Sequence, residues 1–152
     1  MIRHACAKSA IRASFAIIAL ASVCVSGIGT GHAQGFSGLL TGKTRLAPIT
    51  LSSGKPLAET PYELESGKYY AIDIIADGSA EIAITGPSFF RNVWVNEIVI
   101  EDIEIRPNGV DSLEFDDEGK ATISFVTIRP GIFELFVPGT TSASQRVVFN
   151  VK

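Results

Sequence analysis

Cysteine, histidine and methionine are scarce in this sequence of 152 residues. It contains two cysteines, two histidines and one methionine. All five lie within the first 33 residues, so residues 34–152 carry no thiol, imidazole or thioether. A copper site with imidazole and thiolate ligands, or a catalyst that uses cysteine or histidine, is therefore not expected in residues 34–152. No disulfide is expected there either.

The beginning of the chain has the pattern of an export signal. Its basic residues are Arg3, Lys8 and Arg12. An apolar run follows at residues 13–25 and is shorter than the about 20 residues that a membrane span needs. We therefore expect a leader rather than a membrane anchor.

Small residues mark the end of this leader. Gly31 and Ala33 fit the small-x-small pattern that precedes a signal peptidase cleavage site. We predict a signal peptide over residues 1–33 and a mature chain that begins at Gln34. The protein is then periplasmic or secreted, with no membrane insertion after signal cleavage.

Acidic side chains dominate the rest of the chain. Three of the 13 Lys and Arg residues lie in the leader, whereas all 16 Asp and Glu residues follow it, which leaves a net charge of −6 on residues 34–152. An acidic surface repels phosphate backbones. Nucleic acid is therefore excluded as an expected partner.

The segment after the leader is rich in Gly, Ser, Thr and Pro. We predict a flexible N-terminal arm over residues 34–60. Residues 46–51 are a candidate edge strand within it, because Pro48 has no N–H and does not fit a central strand.

Beyond residue 60 the apolar residues alternate as in half-buried strands. Over residues 68–76, Tyr70, Ile72 and Ile74 share one face. The turn signal at residues 77–79 predicts a hairpin into the next strand, whose inward residues are Ile82 and Ile84.

Further strands follow at short intervals. Between residues 97 and 106 the apolar residues change parity at Glu101-Asp102, which indicates a bulge or a turn. Residues 116–119 read as a tight hairpin turn into a strand at 121–128. The predicted inward residues of the last two strands are Phe133, Leu135, Val137, Val147, Phe149 and Val151. The fold class is all-β: a Greek-key β-sandwich over residues 61–152 with no helix of substantial length.

Three stretches resemble a cupredoxin, in particular the cupredoxin-like domains of bacterial periplasmic proteins. They are residues 62–70 (YELESGKYY), 125–137 (FVTIRPGIFELFV) and 147–152 (VVFNVK). The resemblance covers residues 62–152 and implies a cupredoxin-like sandwich.

The resemblance does not extend to the copper ligands. In copper-carrying members, the loop between the last two strands supplies a Cys, a His and usually a Met. Here Val137 lies about where the thiolate belongs and Thr140 about where the imidazole follows. The resemblance thus implies the fold without the type 1 copper site, and no cofactor is expected.

An irregular segment at residues 89–96 is the candidate partner surface. Copper-binding relatives usually place their upstream histidine in this segment. The resemblance thus implies where the segment lies, but it implies no copper chemistry there. The candidate residues are Phe90, Arg91, Asn92 and Trp94. Trp and Arg are enriched at binding hot spots. If the resemblance holds, this segment and the loop at residues 138–145 lie side by side.

A structural interpretation of the same segment stays open. In it, Phe89, Phe90 and Trp94 fill one end of the core, while Arg91 pairs with a carboxylate. The substitution Trp94→Ala distinguishes the two, because it costs stability in one interpretation and partner binding in the other.

Carboxylates are the remaining candidates for chemistry. Their groups at residues 101–104 and 111–118 match no known calcium loop. No two of these carboxylates are marked by the sequence as a buried catalytic pair. We therefore predict that the protein is not an enzyme. The favoured function is an exported, non-enzymatic binding module for an unknown protein partner or small ligand. The alternatives are a periplasmic metal-handling protein associated with copper or iron transport, and a small hydrolase.

Overall fold

Eleven β-strands and two short helical turns make up the regular structure of residues 40 and 42–152, which the computed structural model describes. The strands are β1 (Thr44–Arg45), β2 (Ile49–Leu51), β3 (Tyr62–Leu64), β4 (Tyr69–Ala76), β5 (Ile82–Thr85), β6 (Val93–Ile100), β7 (Ile103–Ile105), β8 (Ser112–Phe115), β9 (Gly119–Thr127), β10 (Gly131–Phe136) and β11 (Arg146–Val151). The helical turns are α1 (Pro87–Phe90) and a 3₁₀ turn at Ala143–Gln145. The predicted signal peptide lies outside the described residues.

The strands form two mixed sheets. Sheet A has the order β1-β4-β9-β6-β7, and β2 also pairs with β4. Sheet B has the order β3-β11-β10-β5-β8. The predicted all-β sandwich is confirmed. Within the part of the chain that the structure describes, no helix has the length and apolarity that a membrane crossing requires.

Alternating apolar residues build the core between the sheets. Tyr70, Ile72 and Ile74 of β4 face inward as predicted, with at most 5% of their surface exposed. The predicted inward residues of β11 are buried too. Phe89 lies between the sheets, with its ring centroid 5.2 Å from that of Phe125 and 4.4 Å from that of Phe149.

Two predicted hairpins are wrong. The turn at residues 77–79 carries the chain from β4 in sheet A to β5 in sheet B, so these strands do not pair. Residues 116–118 likewise connect β8 in sheet B to β9 in sheet A. Both turns cross from one sheet to the other, because β4 and β9 pair with each other through eight residues in sheet A, while β5 and β8 pair in sheet B.

The turn predicted at Glu101-Asp102 is confirmed. β6 and β7 are antiparallel, with Ile100 opposite Ile103. Glu101 adopts a φ of 51°, in the left-handed region that hairpin turns use. A bulge also occurs in β6, between Val95 and Glu97.

The segment expected as a flexible arm is part of the sandwich over its described residues, 42–60. β2 lies inside the predicted edge-strand region and pairs in parallel with β4. Ile49, Leu51 and Leu57 are buried, with at most 1% of their surface exposed. The domain therefore begins before residue 61, since these three side chains complete the core. The part of the predicted arm before residue 40 lies outside the described residues.

Backbone hydrogen bonds define two ends of the sandwich. At one, called the 127 end, Gly67 N–H donates to Thr127 O and Ile128 N–H donates to Asn92 O. At the other, called the 145 end, Leu57 N–H donates to Ser144 O. Each end brings together loops from both sheets.

Candidate functional site

Helix α1 positions the first candidate residues. Pro87 stands in its first turn, where a missing N–H costs nothing. Just before it, Gly86 is packed against the Glu134 carbonyl and Leu135 so closely that no Cβ fits. This close approach holds α1 on β10 and directs Phe89 into the core, where it is fully buried.

Asn92 connects α1 to the turn after β9. Its Nδ2 donates to Ser88 O at 2.7 Å, and its Oδ1 accepts from Arg129 Nε at 2.5 Å. Only 8% of its surface is exposed. Asn92 therefore holds the backbone at the 127 end and offers little surface to a partner.

Trp94 lies on the outer face of sheet A. Its neighbours Val93 and Val95 face the core, so Trp94 points away from it, opposite Val126 of β9. The exposed fraction of Trp94 is 48%. The structural interpretation holds for Phe89 but not for Trp94, which does not fill the core.

Phe90 and Trp94 share a small cavity. It has a volume of about 190 Å³ and is lined by both rings, Val93, Val95 and residues 107–110. β7 pairs only with residues 98–100 of β6. The cavity therefore takes the place of a neighbouring strand along the first half of β6.

Arg91 is exposed and directly follows Phe90 in the chain, although it does not line this cavity. Among the residues that the structure describes, Arg91 forms no ion pair. The expected pairing with a carboxylate is thus not seen in that part of the chain. We call three of the four candidate residues the Trp94 surface: Phe90 and Trp94, which line one cavity, and the exposed Arg91, which follows Phe90 in the chain.

The segment at residues 89–96 does not lie beside the loop at 138–145. Val93 pairs with Thr127 and Asn92 bonds to residues 128 and 129, which places the end of α1 at the 127 end. The loop follows the pairing of Phe136 with Arg146 and bonds to residues 55 and 57 at the 145 end. The expected side-by-side arrangement is wrong, because β10 and β11 carry that loop to the opposite end.

The two residues at the positions expected for copper ligands, Val137 and Thr140, are joined by a hydrogen bond. Thr140 Oγ1 donates to Val137 O at 2.7 Å, and Val137 N–H donates to Gln145 O at 3.1 Å. An aliphatic side chain and a hydroxyl are not type 1 copper ligands. Among residues 40 and 42–152, no three His, Cys, Asp or Glu side chains are grouped as a metal site.

A polar network on the outer face of sheet A borders the Trp94 surface, and no sequence pattern predicted it. Arg106 Nη1 donates to Asn96 Oδ1 at 2.9 Å, and Asn96 Nδ2 donates to Tyr69 Oη at 3.0 Å. Lys43 Nζ lies 3.3 Å from Glu97. Burial raises the pKa of Glu97, but its bonds with Lys43 and Ser124 outweigh that and hold the pKa below its usual range.

A larger cavity lies on the segment expected to be flexible. Its volume is about 530 Å³, and it is lined by Ala47, Pro48, Thr50, Lys55, Pro56, Leu57, Ala58, Glu59, Thr60 and Tyr62. The Tyr62 hydroxyl donates to Ala47 O at 3.0 Å, and burial raises its pKa. The sequence prediction missed this cavity because an arm without fixed structure has none.

Comparison with known proteins shows the fold. No family model and no curated protein matches the chain. A multicopper oxidase from Pseudomonas thermotolerans is similar, with a TM-score of 0.53, 13% identity, and coverage of 76% of this chain and 31% of that one. Lac15 from a marine microbial metagenome is also similar, with a TM-score of 0.51, 19% identity, and coverage of 71% and 26%.

A laccase-like multicopper oxidase from an Ochrobactrum species has a TM-score of 0.51 and 10% identity, with coverage of 72% of this chain and 31% of that one. The match thus spans less than a third of the length of these three oxidases. At such identities the similarity concerns the fold alone, which is a cupredoxin-like β-sandwich.

Proposed function

We propose that this protein is an exported, non-catalytic, cupredoxin-like binding module that recognises a protein partner through the Trp94 surface and has no copper site. The exposure of Trp94 supports this most. A large aromatic ring that leaves 48% of its surface in solvent covers little of its own core. Such a ring is well suited to act as an anchor in an interface, where Trp and Arg contribute strongly to affinity.

The shape beside Trp94 fits a protein partner better than a free small molecule. Small-molecule sites have volumes of about 300–1,000 Å³, and the cavity shared by Phe90 and Trp94 has about 190 Å³. That space suits one inserted side chain. Arg91, exposed and next to Phe90 in the chain, supplies a cation for a carboxylate of the partner.

The chemistry around the Trp94 surface favours binding over catalysis. The nearby carboxylate Glu97 is engaged by Lys43 and Arg106, at 3.3 and 3.4 Å. Its pKa lies below its usual range, so it is a poor proton donor at neutral pH. With no histidine or cysteine in residues 34–152, the surface has no side chain suited to acid–base or nucleophilic work near pH 7.

The test is affinity capture from the periplasmic extract of the source cell, with wild type, Trp94→Ala, Arg91→Ala and Ile132→Ala as bait. Ile132 is the matched control, because it is 73% exposed on sheet B. We expect Trp94→Ala to weaken binding of the captured partner by roughly 2 kcal/mol or more. Its free energy of unfolding should change by less than about 1 kcal/mol. Unchanged capture by both Trp94→Ala and Arg91→Ala contradicts the proposal.

A second candidate is small-ligand binding in the cavity at residues 47–62. Its volume of about 530 Å³ lies within the small-molecule range, and its walls include Pro48 and Pro56. Ligand-observed NMR with a fragment library tests it. Fragments whose signals respond equally to wild type and to Ala58→Trp, which fills the cavity, contradict this candidate.

A further inference from the structure

The free edge of sheet A exposes isoleucines. β7 is the last strand of the sheet, and all three of its residues are exposed. The exposed fractions of Ile103 and Ile105 are 63% and 41%. By register both lie on the same face as Ile98, which is buried. The apolar face of sheet A thus continues beyond the area that sheet B covers.

The backbone of this edge is available for pairing. The two-residue loop Glu101-Asp102 is closed by hydrogen bonds between the residues that flank it. The N–H and C=O of Ile103 therefore point toward β6. Glu104, the next residue, turns its own toward the free side. Natural proteins protect such edges with very short strands, charged side chains (especially Lys), Pro or a covering segment. β7 has three residues, and its central residue is Glu104. No Lys or Pro occurs within β7.

The residues around Glu104 are complementary to themselves. In an antiparallel pair of two β7 strands centred on Glu104, Ile103 of one copy lies opposite Ile105 of the other. In the same register, Asp102 lies opposite Arg106, twice, because the two-fold axis repeats the pair. Two apolar contacts and two opposite-charge pairs therefore form together.

We propose that a second copy of this chain pairs with β7, so that the two six-stranded sheets join into one across a two-fold axis. This surface is separate from the Trp94 surface and does not depend on the proposed function. The pairing covers Ile103 and Ile105 and places Arg106 of each copy near Asp102 of the other.

One contact opposes this association. Glu104 meets its own copy at the axis, and like charges that face each other across strands destabilise the pair. Arg106 contacts Glu104 within each copy and offsets part of the repulsion. The dimer is accordingly weak in the wild type, and Glu104→Gln strengthens it.

Sedimentation velocity of the exported protein, from about 1 μM to 1 mM, measures the dimerisation midpoint, which is the protein concentration at which half of the chains are dimeric. Ile103→Lys should raise the midpoint by about tenfold or more, because a lysine on the edge blocks pairing. Ile132→Lys, an equally exposed change on β10, should leave it unchanged. Glu104→Gln should lower it. Asp102→Arg should raise it, because it places like charges opposite each other across the paired strands.

Two results overturn the proposal. The first is a monomer at every concentration for both wild type and Glu104→Gln, which leaves β7 to some other partner. The second is a dimer that Ile132→Lys or Trp94→Ala disrupts and Ile103→Lys does not. Circular dichroism of each variant shows that it is folded. Unchanged partner capture by Trp94→Ala and Arg91→Ala, which contradicts the proposed function, leaves the dimer proposal unaffected, since the residues differ.

Discussion

The backbone N–H of Leu57 donates a hydrogen bond to the carbonyl oxygen of Ser144 at 2.9 Å. The Leu57 carbonyl in turn accepts from Thr50 N–H at 2.9 Å. A single residue thus connects the segment around β2 to the loop before β11, and its side chain is buried in the core. The N-terminal segment is fixed to the sandwich at this point.

Leu57→Ala should lower the free energy of unfolding by about 2–5 kcal/mol, since it leaves a cavity in the core. Leu40→Ala is the matched control. Leu40 has 44% of its surface exposed, so its truncation should change stability by less than about 0.5 kcal/mol. Denaturant unfolding measures both. Equal, small effects would mean that residues 42–60 are not packed as described.

Asn92→Ala should destabilise the protein by about 1–3 kcal/mol, because it leaves the Ser88 carbonyl and Arg129 Nε without their partner. Asn92→Asp keeps the acceptor for Arg129 but sets a carboxylate oxygen against the Ser88 carbonyl oxygen, so it should also destabilise the protein. Thermal unfolding compares the two with Asn108→Ala, an exposed control. An Asn92→Ala variant as stable as that control contradicts the structural role.

Gly86→Ala should destabilise the protein by about 1–3 kcal/mol through overpacking. An added Cβ meets the Glu134 carbonyl and lies 2.6 Å from Leu135 Cδ2. Gly109→Ala is the control, since nothing lies within 4 Å of a Cβ there. Chemical denaturation distinguishes the two sites. If both variants unfold at the wild-type midpoint, the contact of α1 with β10 is looser than described.

Asp77 should make the stability of the protein depend on pH in the acid range. Hydrogen bonds from the Ser52 and Ser79 side chains and from the Ser79 N–H lower its pKa to about 2. Because an unfolded Asp has a pKa of about 3.9, the stabilisation is complete above about pH 4 and is lost as the pH falls through about 2. NMR titration measures the pKa, and Ser79→Ala should raise it. A wild-type pKa near 4 would contradict these hydrogen bonds.

Strand positions could be predicted because the alternation of side chains within each strand indicates which of them are buried. Tyr70, Ile72 and Ile74 alternate with residues on the other face, and so do Val147, Phe149 and Val151. Strand partners could not be predicted in the same way. The turns at residues 77–79 and 116–118 have the composition of hairpin turns, yet the chain changes sheets there. Turn residues favour a reversal of direction, while long-range packing decides which sheet the next strand joins.

The packing of the N-terminal segment was missed for a different reason. The candidate edge strand at residues 46–51 contains β2, but Ser, Gly, Lys and Pro separate Leu51 from Leu57, so no longer alternating pattern indicates a segment that packs in the core. β2 pairs with β4, and the side chains of Ile49, Leu51 and Leu57 pack in the hydrophobic core.

Sequence reasoning grouped the candidate site only in part. Phe90, Arg91 and Trp94 were recognised by residue type, and the structure places Phe90 and Trp94 on one cavity. Asn92 was assigned to the same surface although it is buried, since a polar residue between exposed ones gives no sign of its hydrogen bonds. Tyr69, Asn96 and Arg106 were missed because their network joins residues far apart in the chain.

The position of β11 inside sheet B has a kinetic consequence. β11 lies between β3 and β10, and Asn150 of β11 bonds to Glu63, 87 positions earlier. A contact over such a distance forms only after the entropy of closing a long loop has been overcome. Refolding should therefore be slow for the size of the domain, on the order of milliseconds to seconds, as in other sandwiches rich in distant pairings. Until β11 docks, β3 and β10 each have an edge without its partner strand. The partly folded chain is most vulnerable to aggregation and proteolysis at that stage.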